Sequence, residues 1–177
     1  MCQGEDDELY VKVIDYKSGA TELDFVKLYY GLQLQLALYL NAAIELEQKR
    51  FQGKKVKPAG IFYYQIKDPM LNREDLKDEE HPEGELLKKL KMDGIAGAEP
   101  EILEKLDRNL AAGKSVESVA IPVKYTAKGT FSSNSKVAYE NQFETMRNYV
   151  NYKAKEIGQK ILNGNAEVNP CLLYTSP

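Results

Sequence analysis

The feature that most constrains the fold is a long apolar helix placed between two β-strands. Residues 9–16 are rich in valine, isoleucine and tyrosine, which is typical of a strand. Residues 32–52 have the leucine, alanine and glutamine content of a helix, and their first half is apolar enough to be buried on most sides. Residues 58–66 form a second apolar strand. This order and spacing predict an α/β fold whose helix crosses over the sheet.

The rest of the chain is predicted to be mostly helical. A short helix or turn is expected at 23–31, and further helices are expected at 85–92, 99–110 and 138–162. The pair at 93–94, Asp-Gly, is expected to end a helix, and residues 118–125 are predicted to form a third strand that Pro122 restricts to a sheet edge. Residues 72–84 are mostly charged and are predicted to be a loop after an Asp-Pro turn at 68–69.

Composition excludes several classes of protein. The chain has 177 residues, enough for one domain with a real core, and it is 43% hydrophobic and 29% charged. No stretch approaches the roughly 20 apolar residues that span a bilayer, and no signal-peptide pattern opens the chain, so we expect a cytoplasmic protein without a membrane partner. The net charge of −3 excludes a globally basic nucleic-acid binder, so any such surface must be local or supplied by a partner.

The first strand ends in residues that carry chemistry. Asp15 and Lys17 are two residues apart, so in a strand they share a face with Leu9, Val11 and Val13. A carboxylate can hold a hard cation, and an ammonium can orient a metal-bound water or stabilise the charge that builds on a phosphate. The pair therefore predicts half of a metal-dependent phosphodiesterase site. A solvated acid and lysine at a strand end is the alternative that the residues leave open.

The following helix carries two side chains that fit the same chemistry. Gln35 and Tyr39 are four residues apart and lie on one helical face. An amide and a phenol can hold phosphate oxygens or orient a catalytic lysine. The alternative is that Gln33 and Gln35 interrupt a core helix and Tyr39 packs. The combination of acid-x-Lys on a strand and Gln-x-x-x-Tyr on the next helix is more specific than either part.

Taken together, these segments resemble a known family. The segment 13–19 (VIDYKSG), followed by 34–39 (LQLALY), resembles the RecB-type nuclease branch of the PD-(D/E)XK superfamily. Segments 59–64 (AGIFYY), 68–71 (DPML) and 135–137 (SKV) look like those of the AddB subunits of bacterial AddAB helicase–nucleases. The resemblance extends over about residues 8–170. It implies a restriction-endonuclease-like α/β core, a mixed sheet flanked by helices, with a helical C-terminal part.

The resemblance also implies roles for individual residues. Asp15 would be a Mg²⁺ ligand, and Lys17 would position the attacking water and stabilise the pentacovalent phosphate. Gln35 and Tyr39 would support the lysine and the DNA strand. The implied function is a magnesium-dependent DNA exonuclease in double-strand break repair and recombination. Its implied partners are the single strand of DNA produced by unwinding and an AddA-like helicase–nuclease subunit.

The chain departs from the family pattern at both ends. The family has another metal-binding carboxylate on an upstream Gly-x-x-Asp-Arg strand, whereas residues 5–8 are interpreted as the solvated turn of a hairpin whose first strand is absent. The family also holds an iron–sulfur cluster with four cysteines. Cys2 and Cys171 are two thiols at opposite ends of this chain, and one cysteine near the expected region cannot hold a cluster. No iron–sulfur cluster is therefore expected in this chain.

These departures lead to a specific expectation. Residues 1–170 are expected to be a truncated nuclease domain that lacks the N-terminal portion of the fold, and residues 171–177 a tail unrelated to the family. The chain on its own is expected to have little nuclease activity. Two alternatives remain: a non-catalytic scaffold that binds DNA or a helicase partner, and a stand-alone phage-type exonuclease of the same superfamily. His81 is expected at the surface, and Tyr63 and Tyr64 suit a strand without a functional role.

Overall fold

The computed structural model describes residues 2–3, 7–66 and 82–165. The turn predicted at 68–69, His81, Cys171 and the tail predicted from residue 171 lie outside this part of the chain. None of the helices within it is long and apolar enough to cross a membrane.

The described residues form both strands and helices. The strands are β1 (Cys2–Gln3), β2 (Glu8–Lys17), β3 (Lys55–Gln65), β4 (Asp93–Gly97) and β5 (Val137–Ala138). The helices are α1 (Phe25–Tyr29), α2 (Gln35–Arg50), α3 (Pro82–Lys89), α4 (Pro100–Leu106) and α5 (Glu140–Leu162), and a 3-10 turn follows α4 at Arg108–Ala112.

The strands form one mixed sheet in the order β1-β2-β3-β4-β5. Its central pair, β2 and β3, is parallel, with Asp15 opposite Tyr63 and Lys17 opposite Gln65. The flanking pairs β1–β2 and β3–β4 are antiparallel, and β5 joins β4 in parallel. Because parallel neighbours need a crossover connection, the chain between β2 and β3 returns through α2. This confirms the predicted mixed sheet flanked by helices.

Two apolar layers cover the two faces of the sheet. On one face, α2 buries Leu36, Leu40 and Ile44 completely at helical spacing, and they pack with alternate residues of β2 and with Phe143 of α5. The other face is covered by α4, the 3-10 turn and the following loops around the fully buried Phe62. The alternation along β2 and β3 therefore decides which side chains can meet α2.

A polar contact fixes how α2 and α5 lie against each other. Asn41 of α2 is almost fully buried, and its amide nitrogen donates to the Asn151 side chain at 2.8 Å and to the Arg147 carbonyl at 3.2 Å. The Arg147 guanidinium donates back to the side-chain amide oxygen of Asn41, Oδ1, at 2.7 Å. Every polar atom of this buried amide is thus occupied, as burial of an amide requires.

The predicted third strand at 118–125 is wrong. Ser118 starts a tight turn there instead: its hydroxyl accepts from the backbone N–H of Ala120 at 3.1 Å and of Ile121 at 3.0 Å. Pro122 has no N–H to give to a ladder, and two isolated bridges, Glu117 with Lys124 and Tyr125 with Phe131, take the place of a strand. The segment still contributes to the core through its buried apolar residues.

Strand β4 pairs with β3, at the position where the Asp-Gly pair at 93–94 was predicted to end a helix. Its sequence, Asp-Gly-Ile-Ala-Gly, contains two glycines, which usually interrupt a helix or strand. In this strand, however, the close approach to β3 requires a small residue. A Cβ on Gly94 would lie 2.1 Å from the carbonyl oxygen of Ile61 on β3, and the φ of Gly94 is +152°. Glycine therefore permits the pairing of β4 with β3.

Three further predictions also differ from the structure. The hairpin strand predicted to be absent is present as β1, whose Cys2 and Gln3 pair with Tyr10 and Leu9. Glu8 belongs to β2 rather than to the turn that was predicted for residues 5–8. The loop predicted for 72–84 is wrong at its end, because residues 82–84 already lie in α3.

Gly94→Ala is expected to lower the free energy of unfolding by at least about 2 kcal/mol, because the new Cβ collides with the backbone of β3 and the backbone conformation disfavours alanine. Urea denaturation measures the effect. Gly158→Ala is the matched control: this helical glycine has open space around its Cβ position, so alanine should raise stability by up to about 1 kcal/mol. Equal stability of the two variants would contradict the packing argument.

Candidate functional site

The carboxyl end of β2 carries the first two residues of the candidate site. Leu9 and Val11 face the layer formed by α2, and Asp15 and Lys17 continue the same face to the end of the strand. The Lys17 Nζ lies 2.8 Å from Asp15 Oδ2, and the two side chains are 31% and 16% exposed. The pair is therefore partly shielded but open to a ligand.

The start of α2 adds the other two predicted residues. The Lys17 ammonium donates to Gln35 Oε1 at 3.0 Å, and Gln35 Nε2 donates to the Tyr39 hydroxyl at 2.9 Å. Asp15, Lys17, Gln35 and Tyr39 thus form one continuous chain of polar contacts. The structure brings together all four residues that sequence reasoning selected.

Side chains from three other positions hold the loop between β2 and α1. Gln65 of β3 donates to the Thr21 carbonyl at 3.4 Å, and the backbone N–H of Leu23 donates to Asp93 Oδ2 at 2.6 Å. Gln33 donates to the Glu22 carbonyl at 3.0 Å, so it ties this loop to the start of α2. These contacts fix the path between Lys17 and Gln35, and they give Gln33 a structural role.

Charge pairing dominates the electrostatics of the site. Pairing with the Asp15 carboxylate raises the pKa of Lys17 above its usual value of 10.5, while desolvation opposes the shift. The lysine is therefore a cation at neutral pH. The stabilisation from this pair is complete below the usual lysine pKa and is lost as the pH rises through the raised one.

Asp15 carries a buried oxygen that is poorly satisfied. In the described part of the chain, Oδ2 accepts no hydrogen bond of good geometry, so its 2.8 Å approach to Lys17 is a charge contact rather than a directed bond. Burial of a charged oxygen is energetically costly, and the ion pair with Lys17 offsets part of that cost. Asp15 Oδ2 is suited to a ligand that brings positive charge, and magnesium prefers such oxygens.

Asp15 thus fits as one ligand of a divalent metal, but the described residues form no cluster of metal-binding side chains around it. No three acidic, histidine or cysteine side chains cluster within 7–66 and 82–165. Glu8 lies at the other end of β2, roughly 23 Å away along the strand, and pairs with Lys57. The backbone of Asp93 lies two strands from that of Asp15, roughly 10 Å away, and the Asp93 carboxylate pairs with Lys136.

Sequence reasoning missed Tyr63 as a neighbour of the site. It lies opposite Asp15 on β3, is 3% exposed, and its ring centroid is 5.8 Å from the Lys17 Nζ. Burial raises the pKa of its hydroxyl. The residue type suggested an ordinary strand position, and the parallel register of β2 and β3 is the signal that reveals its proximity to Asp15.

The fold and the site geometry agree with a comparison against protein families. The family described as the PD-(D/E)XK nuclease superfamily matches residues 3–171. The chain belongs to this superfamily. The result confirms the restriction-endonuclease-like fold class expected from segments 13–19 and 34–39.

Curated relatives are similar over almost the whole chain. A protein of Alkaliphilus metalliredigens is 40% identical over 96% of the chain, one of Lachnoclostridium phytofermentans is 37% identical over 94%, and one of Clostridioides difficile is 34% identical over 94%. Each is named as a subunit of an ATP-dependent helicase/deoxyribonuclease, which confirms the resemblance to AddB subunits. The chain spans 14% of the length of each of these relatives.

Asp15→Asn is expected to lower the pKa of Lys17, because the pairing that raises this pKa most would be lost. NMR titration of the lysine side chains in metal-free buffer measures the change. Lys153 serves as the internal control: its pKa is raised mainly by Glu156, so it should titrate unchanged. An unchanged Lys17 titration would contradict the pairing described above.

Proposed function

We propose that this chain is the magnesium-dependent DNA exonuclease domain of an AddB-like helicase–nuclease subunit. The observation that carries the proposal is the contact chain Asp15–Lys17–Gln35–Tyr39 in a member of a nuclease superfamily. The names of the curated relatives support a helicase–nuclease context. The substrate would be the single strand of DNA produced by unwinding, and the partner an AddA-like helicase–nuclease subunit.

Each residue of the contact chain has a distinct chemical task in this proposal. In phosphodiester hydrolysis, water attacks phosphorus and the bond to the leaving oxygen breaks, so negative charge builds on the phosphate oxygens. Lys17 stabilises that charge as a fixed cation next to the phosphate. Gln35 accepts from Lys17 and keeps its ammonium at the strand end, and Tyr39 fixes the orientation of the Gln35 amide.

Asp15 would hold the metal through its buried carboxylate. Bound magnesium supplies Lewis-acid stabilisation of the phosphate and lowers the pKa of a coordinated water. The proposed role in double-strand break repair and recombination follows from the proposed helicase partner, and it requires the protein to work on chromosomal DNA in the cytoplasm.

Lys17→Ala and Asp15→Asn in the complete subunit, assembled with a helicase–nuclease partner whose own nuclease site is inactivated, are expected to reduce magnesium-dependent cleavage of single-stranded DNA about 100-fold to 1,000-fold. The reason is loss of charge stabilisation in one variant and of a metal ligand in the other. Release of nucleotides from an end-labelled strand measures the rate, and EDTA should abolish it.

Lys124→Ala provides the control for that measurement. Lys124 forms a surface pair with Glu117 at 3.0 Å, and the adjacent Val123 and Tyr125 pack with Phe62 on the sheet face opposite to α2, so its loss should change cleavage by less than about twofold. Binding of DNA without any cleavage by the unmodified subunit in this complex would favour a non-catalytic DNA-binding scaffold instead, and full cleavage by both site variants would contradict the proposed roles of Asp15 and Lys17.

We further propose that the 177-residue chain alone cleaves DNA weakly. Magnesium is usually shared among several oxygen ligands, whereas the four site residues supply one carboxylate. Incubation of the purified chain with end-labelled single-stranded DNA and magnesium is expected to release little product compared with the complete subunit. Strong cleavage that Lys17→Ala abolishes would contradict this expectation.

A further inference from the structure

One close neighbour of the Lys17 ammonium has no role in the proposed mechanism. An ammonium has three N–H donors. Asp15 Oδ2 at 2.8 Å and Gln35 Oε1 at 3.0 Å are the polar neighbours that the described residues provide. The other close group is the ring of Tyr63, whose centroid lies 5.8 Å from Nζ. This distance is within the range in which a cation is attracted to an aromatic face.

Tyr63 is held more rigidly than the lysine it faces. It lies on β3 with strands on both sides, opposite Asp15 of β2 and Asp93 of β4, and is 3% exposed. Lys17, by contrast, ends a strand, is 31% exposed and has a long flexible side chain. The ring is therefore a fixed surface against which a mobile ammonium can be held.

We propose that Tyr63 is a positioning residue for Lys17, which acts through the face of its ring. The inference rests on the proposed nuclease function. An aromatic face attracts the ammonium without forming a second ion pair, so the charge of Lys17 remains available to a phosphate. Asp15 and Gln35 direct the ammonium from β2 and α2, and the ring closes the side towards β3. The hydroxyl of Tyr63 has no part in this role.

The test compares Tyr63→Phe with Tyr63→Leu in the complete subunit assembled with the partner whose own nuclease site is inactivated. Tyr63→Phe keeps the ring and should retain kcat within about twofold, since the attraction comes from the ring face. Tyr63→Leu removes the ring and should lower kcat about 3-fold to 30-fold with little change in KM for single-stranded DNA. Equal loss in both variants, or no loss in the leucine variant, would overturn the proposal.

Phe62→Leu separates positioning from general packing. Phe62 precedes Tyr63 on the same strand, is fully buried, and packs on the opposite face of the sheet. Both leucine variants should lower the melting temperature, but Phe62→Leu should leave kcat unchanged at a temperature where the protein is folded. A loss of kcat in Phe62→Leu as large as in Tyr63→Leu would overturn the positioning role.

A double variant distinguishes failure of this inference from failure of the proposed function. If Tyr63 acts through Lys17, Tyr63→Leu should have no further effect on residual cleavage in a Lys17→Ala background. An additional loss there would overturn the inference while leaving the nuclease function intact. Full cleavage in Lys17→Ala itself would refute the proposed function first.

Discussion

The parallel pairing of β2 with β3 is the constraint on which the rest of the structure depends. Two parallel neighbours cannot be joined by a tight turn, so the chain must travel back over the sheet before β3 begins. The returning helix α2 therefore starts at the edge where β2 ends. That requirement places Gln35 beside Lys17, and it places the candidate site at the carboxyl end of the parallel strands. Ligand sites of α/β sheets recur at this edge for the same reason.

The position of α2 is then fixed from both sides. Its apolar residues pack into the sheet, and the buried Asn41 amide binds Arg147 and Asn151 of α5 with all its polar atoms. Apolar packing alone tolerates small shifts along a helix axis, whereas directed hydrogen bonds to a buried amide do not. The two kinds of contact together hold the first turn of α2 steady, so that Gln35 stays within hydrogen-bonding distance of Lys17.

The local sequence could predict the helices and strands that show a clear hydrophobic period. It could predict little of what depends on contacts between segments distant in the chain. The strand and helix periods placed four site residues on facing surfaces: Asp15, Lys17, Gln35 and Tyr39. Strand β4 escaped prediction because its glycines signal a break locally, and only the neighbouring backbone of β3 explains why Gly94 is required. In the sequence, Pro122 indicates an edge strand, whereas hydrogen bonds from the backbone of Ala120 and Ile121 to the Ser118 hydroxyl form a turn there. Tyr63 became a site neighbour through strand register, which no single segment encodes.

The energetics of the site differ from those of the core around it. In the core, the buried amide of Asn41 is fully bonded, so its burial costs little. At the end of β2, by contrast, Asp15 keeps a buried oxygen without a directed donor, and a single lysine compensates its charge. Such an arrangement stabilises the fold less than a satisfied one would. It also leaves positive charge as the most effective addition to the site, because a bound cation would satisfy Asp15 and release the Lys17 ammonium to face a phosphate.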